Sequence, residues 1–120
     1  MTKRQWKRKI KKACEEAGTY QDCFESIIDT LSQIMENRDK AQEQFEDTGG
    51  EPVIWHTNKG GNSNLVKHPA LVMVNDLNAT ALSYWRDLGL TPSGFKKLGE
   101  SLTVKKESSF EDLLDRKSVV

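Results

Sequence analysis

Residues 20–47 read YQDCFESIIDTLSQIMENRDKAQEQFED. Within this stretch Tyr20, Phe24, Ile27, Leu31, Ile34, Arg38, Ala41 and Phe45 are spaced alternately by four and three. That spacing puts one residue per turn on a single stripe of a helix. It is a heptad seam, widened by Ile28 and Met35. Asp, Glu and Gln fill the outer face. A helix over 20–47, capped by Thr19, would be about 40 Å long at ~1.5 Å per residue. Such a helix is long for a chain of 120 residues and predicts oligomerisation. Arg38 falls on the seam, where a cation costs stability unless paired. Phe24, Ile27, Ile28, Leu31, Ile34 and Met35 are the candidate oligomerisation residues.

Upstream, Trp6, Ile10, Ala13 and Ala17 share one face of a helix from about Lys3 to Ala17, ended by Gly18. The opposite arc is basic. Residues 3–12 hold seven cations and no acid, whereas residues 13–47 hold ten acids against Arg38 and Lys40. The formal charge of zero, from 18 basic and 18 acidic residues, thus hides a basic end and an acidic segment. The basic end can neutralise nucleic-acid phosphates, or it can pack on the acidic segment. A membrane surface suits it less, because its apolar stripe is narrow and partly alanine.

Downstream, residues 48–67 (TGGEPVIWHTNKGGNSNLVK) contain two Gly-Gly pairs and Pro52, which forbid a long helix. They predict an irregular loop with one short extended piece at Val53–Trp55. Ala70, Val74, Leu77, Ala81, Tyr84 and Leu88 then mark a third helix with Pro69 at its first position. Gly89 suits its left-handed end. Thr91-Pro92 opens a short fourth helix, with Phe95 and Leu98 inward and Gly99 as its stop. The fold expected is all-α. A basic helix occupies 1–18, a helical oligomerisation core 19–99, and a mobile tail 100–120.

Composition excludes several classes. Hydrophobic residues make up 36% and charged residues 30%, too apolar for full disorder. No apolar run nears the ~18 residues of a membrane span, and no signal sequence is recognisable, so a cytoplasmic location is expected. Cys14 and Cys23 form neither a disulfide framework nor a zinc motif and are expected as buried helix residues. Gly60-Gly61-Asn62 lacks the rest of a phosphate-binding loop. His56, Asn58, Asn62, Asn64 and His68 superficially suggest an HNH nuclease, which needs two strands before its helix, and none is expected here. No catalytic residue, metal site or cofactor is assigned.

The run NKGGNSNLVKHPALVMVNDLNATALSYWRDLGLTPSGFKKL, from Asn58 to Leu98, resembles the small subunit of a phage terminase. The Leu88-Gly89-Leu90-Thr91-Pro92-Ser93 elbow is its most specific part, although Gly94-Phe95 stands where a basic residue often follows. The resemblance implies a ring of eight to ten subunits in the host cytoplasm. It implies binding of double-stranded phage DNA and recruitment of the large terminase subunit, which carries the ATPase and nuclease. Many relatives have an N-terminal helix-turn-helix, and here only one short basic helix precedes the long one. The DNA-binding candidates are Lys3, Arg4, Lys7, Arg8, Lys11 and Lys12, with Lys59, Lys67, Lys96 and Lys97 in reserve. Phe110, Leu113 and Leu114, among acids in the tail, are candidates for docking on the large subunit. The alternative is a helical DNA-binding or adaptor protein that dimerises through a coiled coil.

Overall fold

The computed structural model describes residues 1–100. Helix α1 spans Lys3–Ala17, α2 Glu25–Asp47 and α3 Pro69–Asp87. A further helix, α4, begins at 92 and continues to 100. Between α2 and α3 lie strands β1 (Val53–Thr57) and β2 (Ser63–Lys67).

Each helix end has a chemical cause. Thr2 and Gln5 form a reciprocal capping box at the start of α1. Gly18, at φ 73°, closes α1 in the left-handed region. The sequence predicts Thr19 as a cap for α2. Instead it is buried and finishes α1: its N–H donates to the Cys14 carbonyl at 2.9 Å. A 3-10 turn at Asp22–Phe24 follows, so α2 starts at Glu25 rather than at Tyr20. Cys23 lies on this turn and is exposed, contrary to the sequence reading, whereas Cys14 is buried.

Ile10, Ile28, Leu31 and Leu88 are fully buried in one cluster with Trp6, Cys14, Met35 and Ala81. Burying each of the larger aliphatic side chains contributes roughly 1.5–3 kcal/mol. This cluster joins α1, α2 and the C-terminal part of α3. At the other end, Phe45 of α2 meets His68 at the start of α3, with ring centroids 5.1 Å apart. Helices α2 and α3 therefore run in opposite directions along each other. The 3-4 spacing identified both helices because their apolar stripes face a shared core.

The irregular loop is a correction. Residues 53–67 form an antiparallel β-ribbon in the register Val53↔Lys67, Ile54↔Val66, Trp55↔Leu65, His56↔Asn64 and Thr57↔Ser63. The molecule is thus mostly helical, not all-α. Asn58 builds the tip: its Oδ1 accepts N–H bonds from Gly60 and Asn62, both at 3.0 Å. Gly61, at φ 82°, completes the reversal. Residues on either side alternate faces, as a ribbon requires.

The elbow between α3 and α4 is held by very close backbone packing. Thr91 Oγ1 accepts from the Gly94 N–H at 3.1 Å, the cap expected from sequence. A Cβ on Gly94 would sit 2.2 Å from the Arg86 carbonyl oxygen. This close approach is the physical reason for glycine at position 94. Contrary to expectation, α4 does not stop at Gly99. Gly94→Ala is expected to destabilise the fold by ~2 kcal/mol or more, because backbone must move to admit the methyl group. A thermal midpoint within a degree of the wild-type value would contradict this packing.

Candidate nucleic-acid interface

Helix α1 carries its cations on two distinct ridges. Lys3, Lys7 and Lys11 are spaced by four beside the buried stripe of Trp6, Ile10 and Cys14. They meet a matching acidic pair on α2. Lys3 Nζ lies 3.2 Å and Lys7 Nζ 3.5 Å from Asp29, and Lys11 Nζ lies 3.2 Å from Glu25. Tyr20 donates its hydroxyl to the same Glu25 carboxylate. All these groups are largely solvated, so each pair is individually weak.

The N-terminal end of this contact is drier. Asp39 Oδ2 accepts from Trp6 Nε1 at 2.7 Å and from the Met1 ammonium at 3.0 Å. The Lys3 N–H donates to Glu36. Arg38 lies over the Trp6 ring at 5.8 Å and its Nε is 3.0 Å from Asp39 Oδ1. That Nε is buried and makes no aligned hydrogen bond, so the contact is coulombic. The seam cation is therefore paired, as its position demands.

The second ridge faces outward. Arg4, Arg8, Lys9 and Lys12 are exposed. Lys9 lies 5.0 Å from the Trp6 ring centroid, and Lys12 reaches only Glu16, at 3.9 Å, where both side chains are largely solvated. Among the described residues Arg4 and Arg8 have no ion-pair partner. Of the remaining cations singled out from sequence, Lys59 and Lys67 are exposed on the ribbon, and Lys96 and Lys97 are exposed on α4. Phe110, Leu113 and Leu114 lie outside the described residues.

The candidate oligomerisation residues divide as well. Ile28, Leu31 and Met35 are buried within the chain, whereas Phe24, Ile27 and Ile34 pack partly buried against the same core. Large apolar side chains stay exposed elsewhere: Val53, Trp55 and Leu65 on one ribbon face, Val72, Met73 and Leu82 on α3, and Phe95 on α4.

His68 has a role that sequence reading missed. It is buried and caps α3: Nδ1 accepts from the Ala70 N–H at 3.0 Å. Nε2 then carries the proton and donates to Thr48 Oγ1 at 2.6 Å, whose hydroxyl donates to the Gln44 carbonyl. The His68 N–H also donates to the Pro52 carbonyl at 2.9 Å. One histidine thus ties the end of α2, the base of the ribbon and the start of α3. The signal was present, since proline at the first helical position makes residue 68 the cap. The two strands required by an HNH unit do precede α3, contrary to the sequence expectation. Both ring nitrogens of His68 are nevertheless engaged in structure. Among the described residues no group of three or more His, Cys, Asp or Glu is placed to hold a metal ion.

Asp39 carries a clear electrostatic signature. Burial opposes its ionisation, but the Trp6 and N-terminal hydrogen bonds and Arg38 outweigh it and hold the carboxyl below its ordinary range. Glu25 is lowered by its hydrogen bonds from Tyr20 and Lys11, and Asp29 by those from Lys3 and Lys7. These groups lose their protons more readily in the folded chain. The unfolded chain therefore binds more protons between the ordinary carboxylate values near ~4 and the depressed ones. Stability is full above that window and is lost as the pH falls through the depressed values. Asp39→Asn is expected to lower the thermal midpoint at pH 7 and flatten its fall below about pH 4. An unchanged acid profile would show that Asp39 does not secure α1.

No curated protein and no solved structure matches the chain. No helix among the described residues is long and apolar enough to cross a membrane. The model of the family described as phage terminase, small subunit matches residues 2–103, which takes in α1, the ribbon and the elbow alike. The match extends well beyond the stretch whose motifs resemble that family, and this chain belongs to the phage terminase small subunit family.

Proposed function

We propose that the chain acts in phage DNA packaging as a non-catalytic ring subunit. It binds the double-stranded genome and recruits and regulates the large terminase subunit. Family membership supports the packaging role. The observation that carries DNA binding is the division of cations on α1. Lys3, Lys7 and Lys11 are committed to Asp29 and Glu25, while Arg4, Arg8, Lys9 and Lys12 face outward. Four outward cations per subunit, multiplied around a ring, turn weak phosphate contacts into useful avidity.

Subunit contact falls to surface that the fold leaves apolar. Ile28 and Leu31 have no exposed surface, so they serve the subunit's own core. The same burial disfavours a dimer built on the α2 seam. We assign the ring contact to the half-buried flank of α2 at Phe24, Ile27 and Ile34. To that flank we add the exposed apolar residues of α3 and of the ribbon base.

Replacing Arg4, Arg8, Lys9 and Lys12 by alanine is expected to weaken binding to a mixed-sequence duplex. The slope of log affinity against log salt should fall by about 0.9 for each lost phosphate contact. Replacing Lys3, Lys7 and Lys11 should instead lower thermal stability and change the slope less. A larger loss of DNA binding from the inner set would overturn the assignment.

The segment around Phe110, Leu113 and Leu114 is our choice for the large-subunit contact, from its amphipathic pattern in a polar end. Deleting residues 108–120 should abolish large-subunit binding and spare DNA binding. Retained binding of the large subunit would exclude this segment.

A further inference from the structure

We propose that the tip of the β-ribbon, residues 57–64, is a second DNA-contacting element that reads base edges in the major groove. This inference rests on the DNA-binding reading above and names a different surface with a different task. Outward cations on α1 hold phosphates, and such contacts carry no sequence information. Sequence discrimination needs hydrogen-bonding groups delivered into a groove.

The ribbon has the shape for this. A two-stranded antiparallel ribbon fits the major groove, which is about 12 Å wide and 8.5 Å deep. Five residues per strand, at about 3.4 Å each, give a reach of ~17 Å from the base. The ribbon's main packing is between its own two strands, so it stands clear of the helices. Its tip is nevertheless pre-shaped: Asn58 Oδ1 holds the Gly60 and Asn62 N–H groups. Across its end, Thr57 Oγ1 and Ser63 Oγ pair at 2.9 Å. A pre-shaped reader loses less conformational entropy on binding.

The chemistry of the tip also fits. No Asp or Glu occurs between Glu51 and Asp76, so the whole ribbon is free of the charge that phosphates repel. Lys59 sits at the turn, Lys67 at the base, and both are exposed. Asn62 and Asn64 are exposed and have side-chain amides of the kind that bind adenine N6 and N7 together. No large apolar side chain occurs from Thr57 to Asn64, which disfavours a protein partner for the tip; Val53, Trp55 and Leu65 lie nearer the base. The basic part of α1 begins level with Asp39, about 12 Å by helix rise from the end of α2 at Asp47, where the chain turns into the ribbon. From there α1 runs away from the ribbon, with Lys11 reaching Glu25 at the first residue of α2, so the two elements meet the duplex at separate points along the subunit.

The experiment uses the full chain and a pool of random-sequence duplexes, followed by affinities for the selected duplex and a scrambled one. The wild type should enrich a consensus. The triple variant Lys59→Ala/Asn62→Ala/Asn64→Ala changes only exposed side chains outside the tip's Asn58 scaffold. It should lose discrimination between selected and scrambled duplexes, on the order of ten- to a hundredfold. Its affinity for the scrambled duplex should fall only by what one lost phosphate contact accounts for. The α1 outer-ridge variant should show the reverse, weaker on both duplexes with discrimination kept. A triple variant that selects the same consensus with undiminished discrimination overturns the ribbon assignment and leaves phosphate binding by α1 standing. So does a wild type that binds duplex yet enriches no consensus. Unchanged DNA selection with reduced large-subunit binding would instead make the tip a protein contact. Failure of both the wild type and the outer-ridge variant to bind any duplex would overturn the DNA reading as a whole.

Discussion

The seating of α1 on α2 is the contact on which the rest of the structure depends. Trp6, Ile10 and Cys14 supply burial along its floor, and Asp39 receives both the Trp6 indole and the N-terminal ammonium at its open end. Lysines on one side meet Glu25 and Asp29. The ion pairs are solvated and individually weak, so the buried stripe both holds the helix and fixes its rotation about its own axis. That rotation has a functional consequence. It turns one ridge of cations into internal partners and presents the other to solvent. A neutral chain thereby acquires a basic surface without an excess of basic residues.

His68 does the corresponding work at the far end of α2. Its backbone and both ring nitrogens bind three separate segments, so the point where the ribbon leaves the helices is fixed even though the ribbon itself stands apart. An isolated two-stranded ribbon is marginal in water. Two features offset this weakness here: the anchored base and the Asn58-locked tip. The exposed Trp55–Leu65 pair on one ribbon face remains apolar surface suited to a neighbouring subunit.

Much of this was legible in the sequence. The helices followed from apolar residues spaced by three and four, and Gly18, Pro69, Gly89 and Thr91 marked ends that the backbone bears out. The ribbon was misread because glycine pairs and asparagines signal irregular chain as readily as a turn. Residues 53–57 and 63–67 flank an Asn-rich, glycine-containing turn, which is also a hairpin signature. Their exposed faces lack the apolar–polar alternation that normally reveals a strand. The α2 seam was seen, but sequence could not say what covers it. Its central residues are covered by α1 and α3 of the same chain. Nor could spacing alone separate the two lysine–arginine ridges, because their difference depends on where Glu25 and Asp29 arrive.

A subunit built in this way keeps its strongest apolar contacts inside and leaves smaller apolar patches at several points of its surface. Patches on different faces suit head-to-tail contacts between identical chains, and such contacts close into a ring when the rotation between neighbours allows it. The mass of the native assembly, measured by light scattering after size exclusion, tests this most directly. We expect a mass of about eight to ten chains, stable on dilution. A monomer or dimer would contradict the ring and leave the outward cations of α1 without the multiplicity on which the proposed DNA binding depends.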